Sequence, residues 1–542
     1  MTDDQAQFPR EVTPGSQEGA CQAGSGEMPV TPASQPAREG WPYRQEADPG
    51  TRASRLIAWA VALGAFLVVV GLQNIPPTLA LFEPAPGSAE TAAEETTEGD
   101  TGGGAGAEGT GTDADRPAIA PPGSADMVGV LGKMYVKLAE VIGSDPTAMT
   151  TFDQYAQTDV DRLRAAIVAA EIDGAPAAIE RLTALNVELD ADDPLALDAS
   201  RLLVIYAEGM TREDPFVTPE SAARLERHHG YFAEVALTFA ADADDPLRRS
   251  LRGGGVVLMF TMLAFGTIVV LAILSGFLLF ITAVVLLALG KLKPVMPVPA
   301  PGGSVFLEVF AVFVLGFLAL QGVSLVVQRV AGPAATWTVY LQLGLQWLLL
   351  LAPLWPLVRG MRPARLVAAI GFHRGRGVLW EVGCGVLGYL AGLPVFLAGV
   401  LVTLALLVMV EVVRGAAGLG EPPAPTNPIL ELLGGGSPVL IVMVVLLATV
   451  WAPLCEELVF RGALQRHLRS RRAVPVASVL TAVMFAFMHG YGFLLVCPLI
   501  ALGTVFSLMR EWRGSLIAPI TAHALHNGTI MVMLISTLYL LG

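Results

Sequence analysis

The chain has 542 residues, of which 53% are hydrophobic and 15% charged, and a formal net charge of −14. Its apolar residues gather in runs of roughly 18 or more, the length that crosses a bilayer core as a helix, so an ordinary soluble protein is excluded and an integral membrane protein is expected. Most carboxylates lie between residues 83 and 245, in segments unlike a membrane span, where the charge serves solubility and marks no nucleic-acid partner.

In chain order, residues 1–52 are rich in Pro, Gly, Ser, Gln and Glu and read as a disordered tail. No apolar stretch of the kind a cleaved signal peptide needs lies near Met1. Residues 53–77 hold a first transmembrane helix, an apolar run over 56–72 preceded by Arg52 and Arg55 and ended by Pro76 and Pro77. Residues 84–123, almost all Gly, Ala, Thr, Glu, Asp and Pro, form a low-complexity linker. Between 126 and 252 the pattern becomes amphipathic, as in Leu131, Met134, Tyr135, Leu138 and Val141. Further helical stretches fall near 160–170, 177–189, 198–207 and 219–239, punctuated by Asp-Pro pairs. A small helical soluble domain is therefore expected between spans one and two, long enough for its own core. His228 and His229 within it are adjacent, so on a helix their side chains diverge, and both read as surface residues.

Residues 255–542 read as a multi-pass membrane domain. Apolar runs lie at 256–289, 305–327, 336–358, 378–409, 439–460, 474–493, 494–509 and 515–541. Together with the first span they give an all-α polytopic transmembrane helix bundle of about nine spans. The run from 256 exceeds one span yet is too short for two, and reads as one long or tilted helix. Counting each run once places Lys291, Lys293 and the arginine clusters at 359–376, 466–472 and 510–513 on one side with the N-terminal arginines. That side is the cytoplasm by the positive-inside rule, which puts the linker and the 126–252 domain outside it. Arg248, Arg249 and Arg252 run against this assignment. The excess of arginine over lysine and the abundance of Ala, Gly and Pro point to a bacterial chain and hence to a bacterial cell (inner) membrane.

Ionisable groups inside a bilayer cost a few kcal/mol each near a helix centre and need a partner or a function. Downstream of Asp245 there is no aspartate and glutamates are few, so Glu456 and Glu457, in the segment WAPLCEELVFRG, stand apart. Glu457 and Arg461 are four residues apart and share a helical face as a structural ion pair. Glu456 points about 100° away and is the carboxylate left for chemistry. His489 follows Phe485 by four residues, and His523 and Asn527 lie one turn apart on another helix, with His526 at the edge of that face. At about 1.5 Å per helical residue, Glu456, His489 and His523 lie roughly 15 to 25 Å from their nearest basic clusters, at similar depth. Converging Glu, His, His and Asn groups inside a membrane favour a functional site. Cys21, Cys384, Cys455 and Cys497 are dispersed and supply neither a disulfide framework nor a Cys-based zinc spacing.

The order E-E-x-x-x-R, F-x-x-x-H and H-x-x-x-N, present as Glu456, Glu457 and Arg461, Phe485 and His489, and His523 and Asn527, resembles the CAAX prenyl protease and bacteriocin-processing (abortive-infection) family of membrane-embedded endopeptidases. The resemblance places a peptidase core at about 437–542 and says nothing of residues before 256. It implies that Glu456 and His489 activate water while His523 and Asn527 stabilise the oxyanion. The rival mechanism holds zinc on His489, His523 and Glu456, a His₂Glu set with an open position, although no H-E-x-x-H helix occurs. His526 reads as a neighbour. The expected activity is hydrolysis of a peptide bond in a membrane-bound or membrane-adjacent protein or peptide, with the lipid bilayer as surroundings. The alternative is a non-enzymatic membrane protein, either a proton-coupled transporter or a pseudo-peptidase platform. Asn527 separates them, because a proton relay has no need of a neutral amide one turn from a histidine. No Gly-rich phosphate loop is present, which excludes an ATP-driven pump. Substrate identity and oligomeric state are not legible.

Overall fold

The computed structural model describes residues 47–80, 82, 127–143, 146–156, 158–190, 192–332, 335–419, 433 and 437–541. Most of the expected tail and the whole of the 84–123 linker lie outside these residues. Every regular element among the described residues is helical, and the chain is a multi-pass membrane protein.

Helix α1 (Arg52–Ala80) does not stop at Pro76 and Pro77 but runs through both. Each proline withholds one backbone donor, and the final turns are tied from outside. Thr78 Oγ1 donates to Asn74 O at 2.7 Å and accepts from Phe493 N at 2.9 Å. The next helices are α2 (Met127–Ile142), α3 (Pro146–Asp153), α4 (Asp159–Asp173), α5 (Ala175–Glu188), α6 (Pro194–Glu208), α7 (Pro219–His229), α8 (Tyr231–Leu237) and α9 (Pro246–Arg252). At two of the Asp-Pro pairs the aspartate caps the helix that follows. Asp193 and Asp245 accept the backbone N–H of Leu195 and Arg248, and a proline follows each in the first turn, where its missing donor costs nothing. Gly230, at φ 52°, divides the expected 219–239 stretch into α7 and α8. These helices share one core in which Leu163, Ile167, Leu182, Leu202 and Phe232 are buried. Each such side chain contributes about 1.5–3 kcal/mol by leaving water.

The basic residues of α9 that ran against the charge rule are ion-paired within this unit. Arg248 and Arg252 both reach Glu171, at 3.2 and 3.4 Å. They belong to the folded helices rather than to a free juxtamembrane loop, so they carry little topological weight.

The remaining helices are α10 (Gly255–Ala288), α11 (Val305–Ala331), α12 (Trp337–Val358), α13 (Pro363–Ile370), α14 (Val378–Ala417), α15 (Pro438–Arg469), α16 (Val474–His489), α17 (Gly492–Leu495), α18 (Cys497–Arg513) and α19 (Ile517–Leu541). The long run from residue 256 is one helix of 34 residues. Among the described residues, seven helices are long and apolar enough to cross a membrane: α1, α9 continued into α10, α11, α12, α14, α15 and α19. The runs at 474–493 and 494–509 fold as the shorter α16 and α18, which pack against each other. Helix α14 comes close to α18 and α19 along glycines. A Cβ at Gly385 would lie 2.7 Å from Ala518 O, and one at Gly399 2.8 Å from Cys497 O, the close backbone approach that small residues allow in membranes.

One end of the bundle collects the basic clusters. Arg466 pairs with Asp48, Arg469 with Glu511, Arg513 with Glu381 and Arg359 with Glu308. The opposite end meets the 127–252 helices, where Leu138 of α2 packs with Leu258 of α10 and Leu541 at the end of α19.

Candidate active site

Helix α15 is not uniformly α-helical. It widens into π-helix at Leu447–Trp451, returns to α over Ala452–Glu456, and widens again at Glu457–Leu464. Such widened turns re-aim side chains and recur at functional sites. Glu456 and Glu457 sit at the junction of the second pair and face different surroundings, with side chains 13% and 0% exposed.

Two imidazoles converge on Glu456. His489 Nε2 lies 4.0 Å and His523 Nε2 3.8 Å from Glu456 Oε2, an oxygen with no hydrogen-bond partner among the described residues. The other ring nitrogens are anchored. His489 Nδ1 donates to Phe485 O at 2.9 Å, which explains the four-residue spacing of that motif, and His523 Nδ1 meets Glu457 Oε1 at 3.0 Å. A carbonyl can only accept, and a carboxylate accepts when ionised, so both Nδ1 atoms carry a proton, and both Nε2 atoms face Glu456.

Glu457 is therefore more than half of an ion pair. Its Oε1 takes Arg461 Nη1 at 2.8 Å as well as His523, and all of this is fully or nearly fully buried. The Arg461 guanidinium lies over the rings of Phe485 and Phe506, 4.4 and 5.4 Å from their centroids, and donates to Gly503 O. Phe485 packs edge-on against both His489 and His523, with centroids at 4.7 and 5.9 Å. Asn527 Nδ2 donates to Ala448 O at 2.8 Å, a carbonyl inside the first π segment. One of its two N–H bonds is thereby engaged, which orients the amide. His526 faces away, within 3.4 Å of Tyr389 Oη and edge-on to Tyr389 and Phe396.

The donor set also fits zinc in type. His489 Nε2, His523 Nε2 and Glu456 would hold the ion, which would polarise a carbonyl and lower the pKa of bound water. Ring N–H groups anchored on a carbonyl and a carboxylate are the usual support for such histidines. The 3.8 and 4.0 Å separations exceed the roughly 3.4 Å edge of a tetrahedral zinc site, so the side chains would have to close on it.

A participant missed by the sequence reading is Asn74 of α1, completely buried and far outside the motif region. Its Nδ2 donates to Phe487 O at 3.0 Å, inside the 3₁₀ turn Phe487–His489. With Thr78 holding Phe493 N, α1 pins both sides of the turn that presents His489. The available signal was a lone Asn beside a membrane run, which is expensive without a partner. Replacing Asn74 by Leu is expected to lower kcat about tenfold or more with little change in KM, because His489 loses its register rather than the substrate its contacts. Equal kcat values for the two proteins on any cleaved substrate would refute this.

Comparison with known proteins finds similarity in the segment that carries these residues. Residues 438–529 match the family model described as type II CAAX prenyl endopeptidase Rce1-like. The chain is 29% identical over 119 residues to "Membrane-embedded CAAX protease MroQ" of Staphylococcus aureus (strain USA300), an alignment covering 21% of this chain and 46% of that protein. The chain thus spans about half the length of the curated relative it matches. No solved structure matches. The matched segment, residues 438–529, carries Glu456, Glu457, Arg461, His489, His523 and Asn527 together, and it is in this segment that the chain is similar to the type II CAAX prenyl endopeptidases of the Rce1-like family model.

Proposed function

We propose that this protein is a membrane-embedded endopeptidase, set in a bacterial inner membrane, that hydrolyses a peptide bond of a membrane-bound or membrane-adjacent substrate with water activated by Glu456 and His489. The observation that carries the reading is the approach of two imidazole Nε2 atoms, from different helices, to the same oxygen of Glu456 at 4.0 and 3.8 Å. Glu456 Oε2 is the oxygen to take a proton from water, and His489 Nε2, 4.0 Å away, is placed to share it. His523 and the Asn527 amide, on the same face of α19, are the groups to receive charge developing on the carbonyl oxygen. A proton relay would be served by the carboxylate and imidazoles alone, and makes no use of the second N–H of the Asn527 amide, the one not given to Ala448 O.

The test is a comparison of membrane-protein termini in cells carrying the intact chain or the double variant His489→Ala, His523→Ala. New termini confined to the intact chain are expected, and identical terminal profiles would overturn the reading. On a substrate so identified, exhaustive chelation separates the two hydrolytic mechanisms. Activity that survives chelation is expected for glutamate-activated water, whereas loss restored by zinc assigns the site to the metal. Under the water mechanism, Asn527→Ala is expected to lower kcat by about 10²-fold with a smaller effect on KM.

A further inference from the structure

Outside the membrane, the histidines that the sequence assigns to the surface meet at one buried carboxylate. Asp198, on α6, is completely buried, and the end of α7 lies over it. His228 Nδ1 and His229 Nε2 both aim at Asp198 Oδ2, from 2.6 and 3.4 Å. The side chains of adjacent helical residues do diverge, but the carboxylate lies between them, with the rings 6.1 Å apart and nearly perpendicular. His229 is 2% exposed, and its Nδ1 has no hydrogen-bond partner among the described residues. His228 keeps a quarter of its side chain in solvent. Asp198 Oδ1 is occupied by Arg224 Nε at 2.7 Å, and the same guanidinium donates to Pro194 O.

We infer that Asp198, His228 and His229 form a zinc-binding site in the extramembrane helices, separate from the membrane carboxylate and its histidines. Their three ligand atoms all lie within 4.8 Å of one another, and they are the group with this property among the described residues. Zinc bonded at about 2.0–2.1 Å needs ligand atoms roughly 3.4 Å apart, so the His229 to Asp198 edge already matches and the partly exposed His228 has about 0.8 Å to move. Arg224, bound to Oδ1, leaves Oδ2 as the ligating atom and acts as the outer donor that ligating carboxylates commonly have. Two imidazoles with one carboxylate suit zinc rather than calcium or magnesium, which prefer all-oxygen shells. The exposed edge of His228 is the path for the ion and leaves a fourth position for water. Zinc here would join α6 to α7 across the chain between them.

The test uses full-length protein in detergent, compared with His228→Gln, in which the amide can still donate to Asp198 but ligates zinc poorly. After equilibration with micromolar zinc and removal of excess, the parent is expected to retain about one more zinc per chain than the variant. Cobalt is expected to give a tetrahedral visible spectrum in the parent that His228→Gln weakens, and zinc to raise only the parent's melting temperature. Equal zinc content in parent and variant, or the absence of saturable zinc binding by the parent, overturns the inference. In that event the cluster is a hydrogen-bonded anchor for α7 and nothing more. Because the comparison is a difference at His228, zinc held in the membrane site would raise both counts alike.

Discussion

Glu456→Gln is expected to lower the rate of peptide-bond cleavage by about 10²–10⁴-fold, the range a positioned general base supplies, with KM changed far less. The substitution preserves side-chain shape and removes the ability to take a proton. It is also expected to leave stability almost untouched, since Glu456 Oε2 makes no hydrogen bond among the described residues and the residue is not the partner of Arg461. The contrast with Glu457 makes this a sharp test. Glu457→Gln weakens bonds to both Arg461 and His523, so it disturbs folding and the orientation of the second histidine together. Turnover by Glu456→Gln at the parental rate, measured as product per unit time on one purified substrate, would remove Glu456 from the chemistry.

Arg461→Ala is expected to destabilise the membrane bundle by about 3–5 kcal/mol, the loss typical when one partner of a buried ion pair is removed. The substitution strands the fully buried Glu457 without its counter-charge, empties the space between Phe485 and Phe506, and deprives Gly503 O of its donor. Activity is expected to fall as well, because Glu457 also fixes the ring of His523. Arg461→Lys retains the charge but cannot span Glu457 and Gly503 O with one planar group, so an intermediate loss is expected. Adding Glu457→Gln to Arg461→Ala is expected to recover part of the stability, since no buried charge then remains unpaired. Thermal unfolding in detergent measures all of these, and an unshifted transition for Arg461→Ala would show the pair to be solvated.

Helical periodicity carried much of this protein in its sequence. Runs of apolar residues sufficed to announce membrane helices, and the i, i+4 rule sufficed to pair Glu457 with Arg461 and to set His523 above Asn527, because neighbours along one helix are settled by local geometry alone. Partners on other helices depend on how each helix is rotated and how closely it approaches, and packing over the whole chain decides that. The convergence of His489 and His523 on Glu456, the hold of Asn74 on a turn more than four hundred residues away, and the shared carboxylate beneath His228 and His229 are all of this kind. The same holds for Arg248 and Arg252, which a charge rule counts as loop residues until Glu171 arrives from α4. Pro76 and Pro77 read locally as a stop, yet the helix continues because contacts from residues 487–493 secure its last turns. Local spacing thus selects which residues share a face, whereas burial of polar groups away from water makes each of them find a specific partner, and only the tertiary structure shows which one.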